Sequence, residues 1–301
     1  MLLRREFLAI AAGAAVPSAP GFRRVTAWSA AEGLTSLQVK VEGRNSKVVR
    51  CKGPKDDLML LVVLDVTGDL TLVDPARQAA VTEIEKLPDC AWVGLMRSQD
   101  GLRVLVDPTA DRAAVTTGIL GAPVSGRAGL LETIEPADAL ATKVLRKTGV
   151  RTAVLYLTDS NITNYREDYT NPVINMSDAR DLSRRFPEAL INEKTSKIGA
   201  VLGESDAPVF MVHLAFLRDR LNDAYQTGLQ QMAEATGGQA EFCRTQSDIA
   251  TTIGLVFGKI LSSWAVDVEI PAGTPRNFTV HLSGAGEIQY RTRFVMRNGR
   301  E

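Results

Sequence analysis

Asp65-Val66-Thr67-Gly68-Asp69 breaks off an apolar run at 58–64, and Thr158-Asp159-Ser160-Asn161 ends another buried-strand pattern at 151–157. An aspartate at the end of a buried strand is a nucleophile type for phosphoryl transfer, its carboxylate becoming an acyl phosphate. Asp65 has that placement. The local alternative is structural: Thr67 and Asp69 cap the turn, and Asp159 accepts hydrogen bonds from neighbouring backbone. At the level of the residues alone both readings stay open.

Other chemistries find little support. The chain of 301 residues has two histidines, His213 and His281, so a multi-histidine metal site is excluded. His213 sits within Val209-Phe210-Met211-Val212-His213-Leu214 and reads as a core or strand-end residue. Cys51, Cys90 and Cys243 are too scattered for a zinc cluster or a disulfide scaffold. No Gly-x-Ser-x-Gly elbow and no Gly-x-x-x-x-Gly-Lys phosphate loop occurs. The pairs Glu83/Glu85 and Arg184/Arg185 read as charged helix faces. With 35 Lys+Arg against 35 Asp+Glu, nothing points to a nucleic-acid groove or a polybasic membrane patch.

The elements that must position these residues follow from hydrophobic periodicity. Residues 58–64 and 151–157 are apolar enough for strands covered on both faces. Strands are also expected at 91–96, 102–106, 209–216 and 240–243. Ser98-Gln99-Asp100-Gly101 links the first two of these as a hairpin. Helices are expected after Asp74, as N-cap with Pro75 at the first helical position, then near 110–120, up to Leu145, at 178–200, 221–235 and 247–261. Gly237-Gly238 stops the fifth of them. Strands alternating with helices predict an α/β fold, a mostly parallel sheet with helices on both faces and an antiparallel edge hairpin. From 264 to 296 the period changes to two, predicting a small β-rich extension that pairs with strands from 36–51. Residues 20–35 read as a linker.

The first residues, MLLRREFLAIAAGAAVPSAP, have a cationic head and a short apolar stretch at 7–16. That stretch is below the roughly 20 residues a membrane helix needs, and it suits a signal peptide over 1–19. Arg4-Arg5-Glu6-Phe7-Leu8 resembles a twin-arginine export signal. The expectation is an exported protein, periplasmic or secreted, with no transmembrane segment in its mature form.

A first buried strand ending in Asp-x-Thr-x-Asp, a fourth ending in Thr-Asp-Ser, and Met232-Ala233-Glu234-Ala235-Thr236-Gly237-Gly238-Gln239-Ala240 resemble the von Willebrand factor type A (VWA) family. With the signal and the β tail, the chain is most similar to exported VWFA-related proteins of acidobacteria. The resemblance implies a VWA-like domain over 57–262, between an N-terminal β segment within 20–56 and a C-terminal β extension over 263–301. It further implies a divalent ion, Mg²⁺ or Ca²⁺, held by Asp65, Thr67, Asp69 and Asp159. The family motif has Ser where Asp69 stands, and a loop Thr where Ala128 stands, with Ser125 and Arg127 beside it. Three carboxylates in one crevice repel each other unless a cation neutralises them. The site is therefore either a cation site favouring a larger ion or a relic in which Asp69 pairs with Arg127.

A family site of this kind binds and does not turn over substrate. It implies an unknown protein ligand presenting an acidic side chain to the ion, with Tyr165, Arg166 and Tyr169 on a loop of the same face. The reading is an exported interaction or adhesion module, not an enzyme. The alternatives are a metal-free scaffold of an envelope assembly and a Mg²⁺-dependent phosphatase-like hydrolase. The phosphatase pattern, resembling haloacid dehalogenases, wants Asp-x-Asp where this chain has Thr67, plus a Lys and a distal acidic pair that find no place.

Overall fold

The computed structural model describes residues 21–29, 34, 37–165 and 187–297. The chain order begins with strands β1 (Phe22–Ser29), β2 (Gln38–Val41), β3 (Arg44–Ser46), β4 (Val48–Lys52) and β5 (Leu58–Asp65), then helix α1 (Leu70–Glu85). β6 (Ala91–Arg97), β7 (Arg103–Thr109), α2 (Arg112–Gly121), α3 (Leu130–Thr148) and β8 (Arg151–Thr158) follow. After a 3-10 turn (Ile162–Tyr165) come α4 (Pro187–Leu202), β9 (Val209–His213), α5 (Arg220–Thr236), β10 (Ala240–Phe242) and α6 (Asp248–Leu261). Strands β11 (Trp264–Glu269), β12 (Asn277–Ser283), β13 (Ile288–Tyr290) and β14 (Arg293–Val295) finish the described chain.

Every residue of β5 and β8 is buried, because each strand feeds two cores. Leu58, Leu60, Val62 and Leu64 point to the face covered by α1, α2 and α6. Met59, Leu61 and Val63 point to the face covered by α3, α4 and α5. The period of two is thus hidden beneath a continuous apolar run. The resulting six-stranded sheet has the order β10-β9-β8-β5-β6-β7. All its pairs are parallel except β6 with β7, the edge hairpin. This is the α/β architecture, with helices on both faces, that the alternation of elements predicts. Among the described residues no helix is long and apolar enough to cross a membrane.

The β extension is two four-stranded sheets, β13-β1-β11-β4 and β14-β12-β2-β3, closed over Val25, Val41, Val266, Val268, Phe278 and Val280. Tail strands pair with the early ones: β11 with β4, and β12 with β2, both antiparallel.

Two expectations need correction. Residues 22–29, read as linker, form β1, which pairs with β11 from Phe22↔Glu269 to Ala27↔Trp264. The strand signal is masked by Arg23 and Arg24, both buried. Arg23 donates to the carbonyls of Gly203, Glu204 and Ser205. Arg24 donates to Asp267 and to the carbonyls of Gly149 and Val150. Two cations disappear into a strand because backbone acceptors await them. The second correction concerns α1, which starts at Leu70 with Asp69 as its N-cap, leaving Pro75 inside the helix and Asp74 exposed. Residues 1–20, with the twin-arginine run, and Arg166 and Tyr169 lie outside the described residues.

Limited trypsinolysis followed by mass spectrometry distinguishes strand from linker. Arg23 and Arg24 are expected to resist cleavage while exposed Lys55, in the turn between β4 and β5, is open to it. Early cleavage after Arg23 or Arg24 contradicts the placement of β1.

Candidate functional site at the ends of β5 and β8

Asp65, the last residue of β5, has no exposed surface. A carboxylate in that position needs partners, and four donors supply them. Oδ1 accepts from Ser98 Oγ at 2.5 Å and from the Gly129 N–H at 2.9 Å. Oδ2 accepts from Thr158 Oγ1 at 2.9 Å and from Ser160 Oγ at 2.6 Å. An ionised carboxylate offers about four lone-pair sites, so its acceptor capacity is used up.

Each donor is placed by an element boundary. Ser98 follows β6, and its N–H is bound to the Leu64 carbonyl at 2.9 Å. Gly129 is the N-cap residue of α3. A side chain there would run into the Ser98 carbonyl, a Cβ falling 1.9 Å from it, so only glycine lets its N–H reach Asp65. Thr158 is paired directly with Asp65 across the β5–β8 ladder. Ser160 lies two residues on, with Tyr225 Oη 3.4 Å from its hydroxyl.

Asp159 forms the second layer. Its Oδ1 accepts from the Thr67 N–H at 2.6 Å and from Thr67 Oγ1 at 3.0 Å, and its Oδ2 from the Asp69 N–H at 3.4 Å. Burial raises its pKa above the ordinary carboxylate range and nearby Asp65 adds to the rise, while the Thr67 and Asp69 donors pull it back. Asp69 belongs to the cluster only through its backbone. Its carboxylate accepts from the Thr71 N–H at 3.1 Å and the Thr71 hydroxyl at 2.6 Å, capping α1.

Of the four residues singled out in the sequence, Asp65, Thr67 and Asp159 come together and the Asp69 carboxylate turns away. Ala128 is buried against the α3 side of the core, placing a methyl group where the resemblance asks for a hydroxyl, and Ser125 is exposed. The Arg127 N–H donates to Asp100 Oδ1 at 3.2 Å. Tyr165, proposed as a surface hot spot, is a core residue, 2% exposed, against Tyr225. Sequence reasoning missed Ser98, Gly129, Thr158 and Ser160 as partners of Asp65. The one signal for them was Thr158 and Ser160 flanking Asp159 in the same motif.

His213 closes the far side of the cluster, 1% exposed. Its Nδ1 accepts from the Ala215 N–H at 3.2 Å, which leaves Nε2 as the protonated nitrogen donating to the Ser160 carbonyl at 2.7 Å. Burial lowers its pKa, against those hydrogen bonds and the Asp65 charge. It is a neutral core histidine.

As arranged, two of the three carboxylates expected to hold a divalent cation, Asp65 and Asp69, are already committed to other donors. Both oxygens of Asp65 are saturated by four donors, and the Asp69 carboxylate is committed to Thr71. A cation needs free oxygen lone pairs and room for water. Among the described residues no group of three or more His, Cys, Asp or Glu gathers as a metal cluster.

No protein-family model matches the sequence, and no curated protein matches it. Solved structures do. The chain is similar to a von Willebrand factor type A protein from Catenulispora acidiphila, at 11% identity over 92% of this chain and 73% of that one, with a TM-score of 0.46. It is similar to the vWF domain of the type V pili tip protein Mfa5 from Porphyromonas gingivalis, at 10% identity, 68% and 95% coverage and TM-score 0.47. It is also similar to BatB from Bacteroides thetaiotaomicron, at 14% identity, 68% and 98% coverage and TM-score 0.43. At such values the description of the fold rests on the sheet order and the two cores, not on these likenesses.

Asp65→Asn keeps the shape but turns an amide NH₂ toward donors that need an acceptor. The expected cost is about 3 kcal/mol of folding stability, read from urea unfolding midpoints. A loss within a few tenths of a kcal/mol contradicts the four-donor cage.

Proposed function

We propose that this chain is a protein-recognition module that works without a metal ion, its contact surface being the apolar groove at the β7 edge of the main sheet. The groove carries the reading. The β6–β7 connection is a hairpin, so no crossover helix covers that end of the α3 face. Leu61 and Met96 form the floor and Leu140 and Val144 of α3 one wall of a cavity of about 690 Å³. Val104 is 54% exposed, and Leu105 and Leu140 are each 37% exposed. Apolar surface left open at one place marks a contact site more often than chance.

The occupant that fits is a short apolar segment of a partner protein flanked by Lys or Arg. Exposed Asp107 and Asp111 line the same groove and favour a positive flank. Strand addition is disfavoured, because β7 contains Pro108 and its pairing with β6 is interrupted by register shifts. The partner's side chains, rather than its backbone, then provide the affinity.

The site at Asp65 supports the metal-independent part of the reading. An acidic partner residue completing an ion's shell has no ion to complete. A phosphatase role for Asp65 is likewise disfavoured, since a nucleophile needs a free lone pair aimed at substrate. Recognition outside the cell is consistent with the export expected from the first residues.

Calorimetric titration of chelator-stripped protein with Mg²⁺, Ca²⁺ and Mn²⁺ is expected to give no saturable heat at millimolar ion. Binding that Asp65→Ala abolishes overturns metal independence.

Random peptides displayed on phage and counter-selected on a Val104→Glu/Leu140→Glu variant test the groove. Enrichment of apolar peptides with flanking Lys or Arg, binding the parent and not the folded variant, is expected. Absence of enrichment, or equal binding to both, rules out the groove.

A further inference from the structure

A second, unrelated feature lies at the seam between the β extension and the main sheet. A small cavity of about 60 Å³ there is lined by Arg23, Arg24, Arg50, Arg146 and Arg297, with Asp206 and Asp267. The two carboxylates are shared. Asp206 pairs with Arg23 at 3.1 Å and with Arg297. Asp267 pairs with Arg24 at 2.6 Å and with Arg50 at 3.8 Å. Arg146, exposed on the last turn of α3, has no ion-pair partner among the described residues. Five guanidiniums therefore face two carboxylates, an excess of three positive charges around one cavity.

Part of this set has a structural task. Arg23 and Arg24 cap carbonyls, as described for β1, and Arg50 Nη1 approaches the Gly149 carbonyl at 3.4 Å. That task does not require Arg146 or Arg297. The Arg297 Nε is buried without an acceptor. Burial, then repulsion from Arg23, Arg146 and Arg24, pushes Arg297 down to about 8. Arg291, behind it, is pushed down to about 9 by burial and by Arg23. A guanidinium stays protonated at neutral pH, so these buried groups repel one another as full charges, and an anion among them offsets that repulsion. The other nearby acids, Glu204 and Asp138, relieve it only in part. Glu204 pairs with Arg276 at 3.4 Å. Asp138, bound by the Ser205 hydroxyl, is pushed up to about 7 by burial and carries less than a full charge at neutral pH.

We infer that this cavity is a binding site for a compact oxyanion of the phosphate class, held by Arg146, Arg50 and Arg297 at the seam between the two parts of the molecule. Guanidinium forks match phosphate oxygens in pairs, and the cavity is sized for one such group rather than a nucleotide. The phosphate is either free or a monoester on a partner. Since Arg50 belongs to β4 and Arg146 to α3, the bound anion fastens extension to core and stabilises the folded state by mass action.

The test uses the full chain in thermal unfolding and calorimetry at matched ionic strength, with inorganic phosphate, O-phosphoserine peptide and acetate as probes. Saturable binding of phosphate with a rise in Tm, and little from acetate, is expected. Tighter binding of the phosphopeptide assigns a partner's monoester, and tighter binding of inorganic phosphate assigns the free ion. Arg146→Met, which leaves the carbonyl caps in place, is expected to weaken binding about tenfold, with a Tm in the absence of anion no lower than the parent's. Arg50→Met serves as a second variant. The inference falls if phosphate gives no heat and no Tm shift beyond sodium chloride, or if both folded variants bind as the parent does.

Discussion

The buried charge of Asp65 sets the terms for the middle of this molecule. A carboxylate removed from water is tolerated only where hydrogen bonds replace hydration. Here those bonds come from the ends of two strands, β6 and β8, and from the residue just before α3. None is adjacent to Asp65 in sequence. The sheet must therefore be assembled in one register for the charge to be satisfied, with Asp65 opposite Thr158. A slip by one residue exchanges the two apolar faces and also strands the carboxylate. Packing and electrostatics penalise the same error, and that agreement makes the register unambiguous.

Much of the central sheet was legible because β5 and β8 are so apolar that few other structures accept them. The site was half legible. Asp65, Thr67 and Asp159 stand in a recognisable order, and they do meet. The hydroxyl cage was not readable, because Ser98 is an ordinary turn residue until folding brings it 2.5 Å from Asp65. Asp69 and Asp74 were exchanged for a similar reason. Both precede good helix-forming residues, and the choice is made by Asp159, which grips the turn at Thr67 and Asp69 from 92 and 90 residues away. β1 escaped notice because hydrophobicity patterns take arginine as a surface residue, and nothing local says that carbonyls will surround it.

Arginine plays three parts here. Arg24 closes the C-terminal end of α3 by binding the carbonyls of Gly149 and Val150, where an excess of negative dipole is expected. Arg151 donates to the carbonyls of Leu261, Ser263, Pro54 and Asp56, pinning the start of β8 to the segments entering and leaving the β extension. At the seam the same residue type accumulates beyond what capping needs. Its planar, always-charged head suits both the first two tasks and the third, which is why surplus is visible only when acceptors are counted.

Strand β1 has a consequence for how the molecule comes into being. Arg24 and its carboxylate partner Asp267 are 243 residues apart, and every ladder of β1 is to chain made after the α/β part. On a ribosome the α/β part emerges while β1 and β4 still wait for β11, and the β2–β3 hairpin still waits for β12. The closure of so long a loop is a late and slow event. During that interval the early strands present bare edges and Arg24 lacks its carboxylate partner, a state that invites chaperone binding. A product ending before residue 264 never leaves it. The β extension therefore closes only once chain on both sides of the α/β part has been made, which couples the order of synthesis to the order of folding.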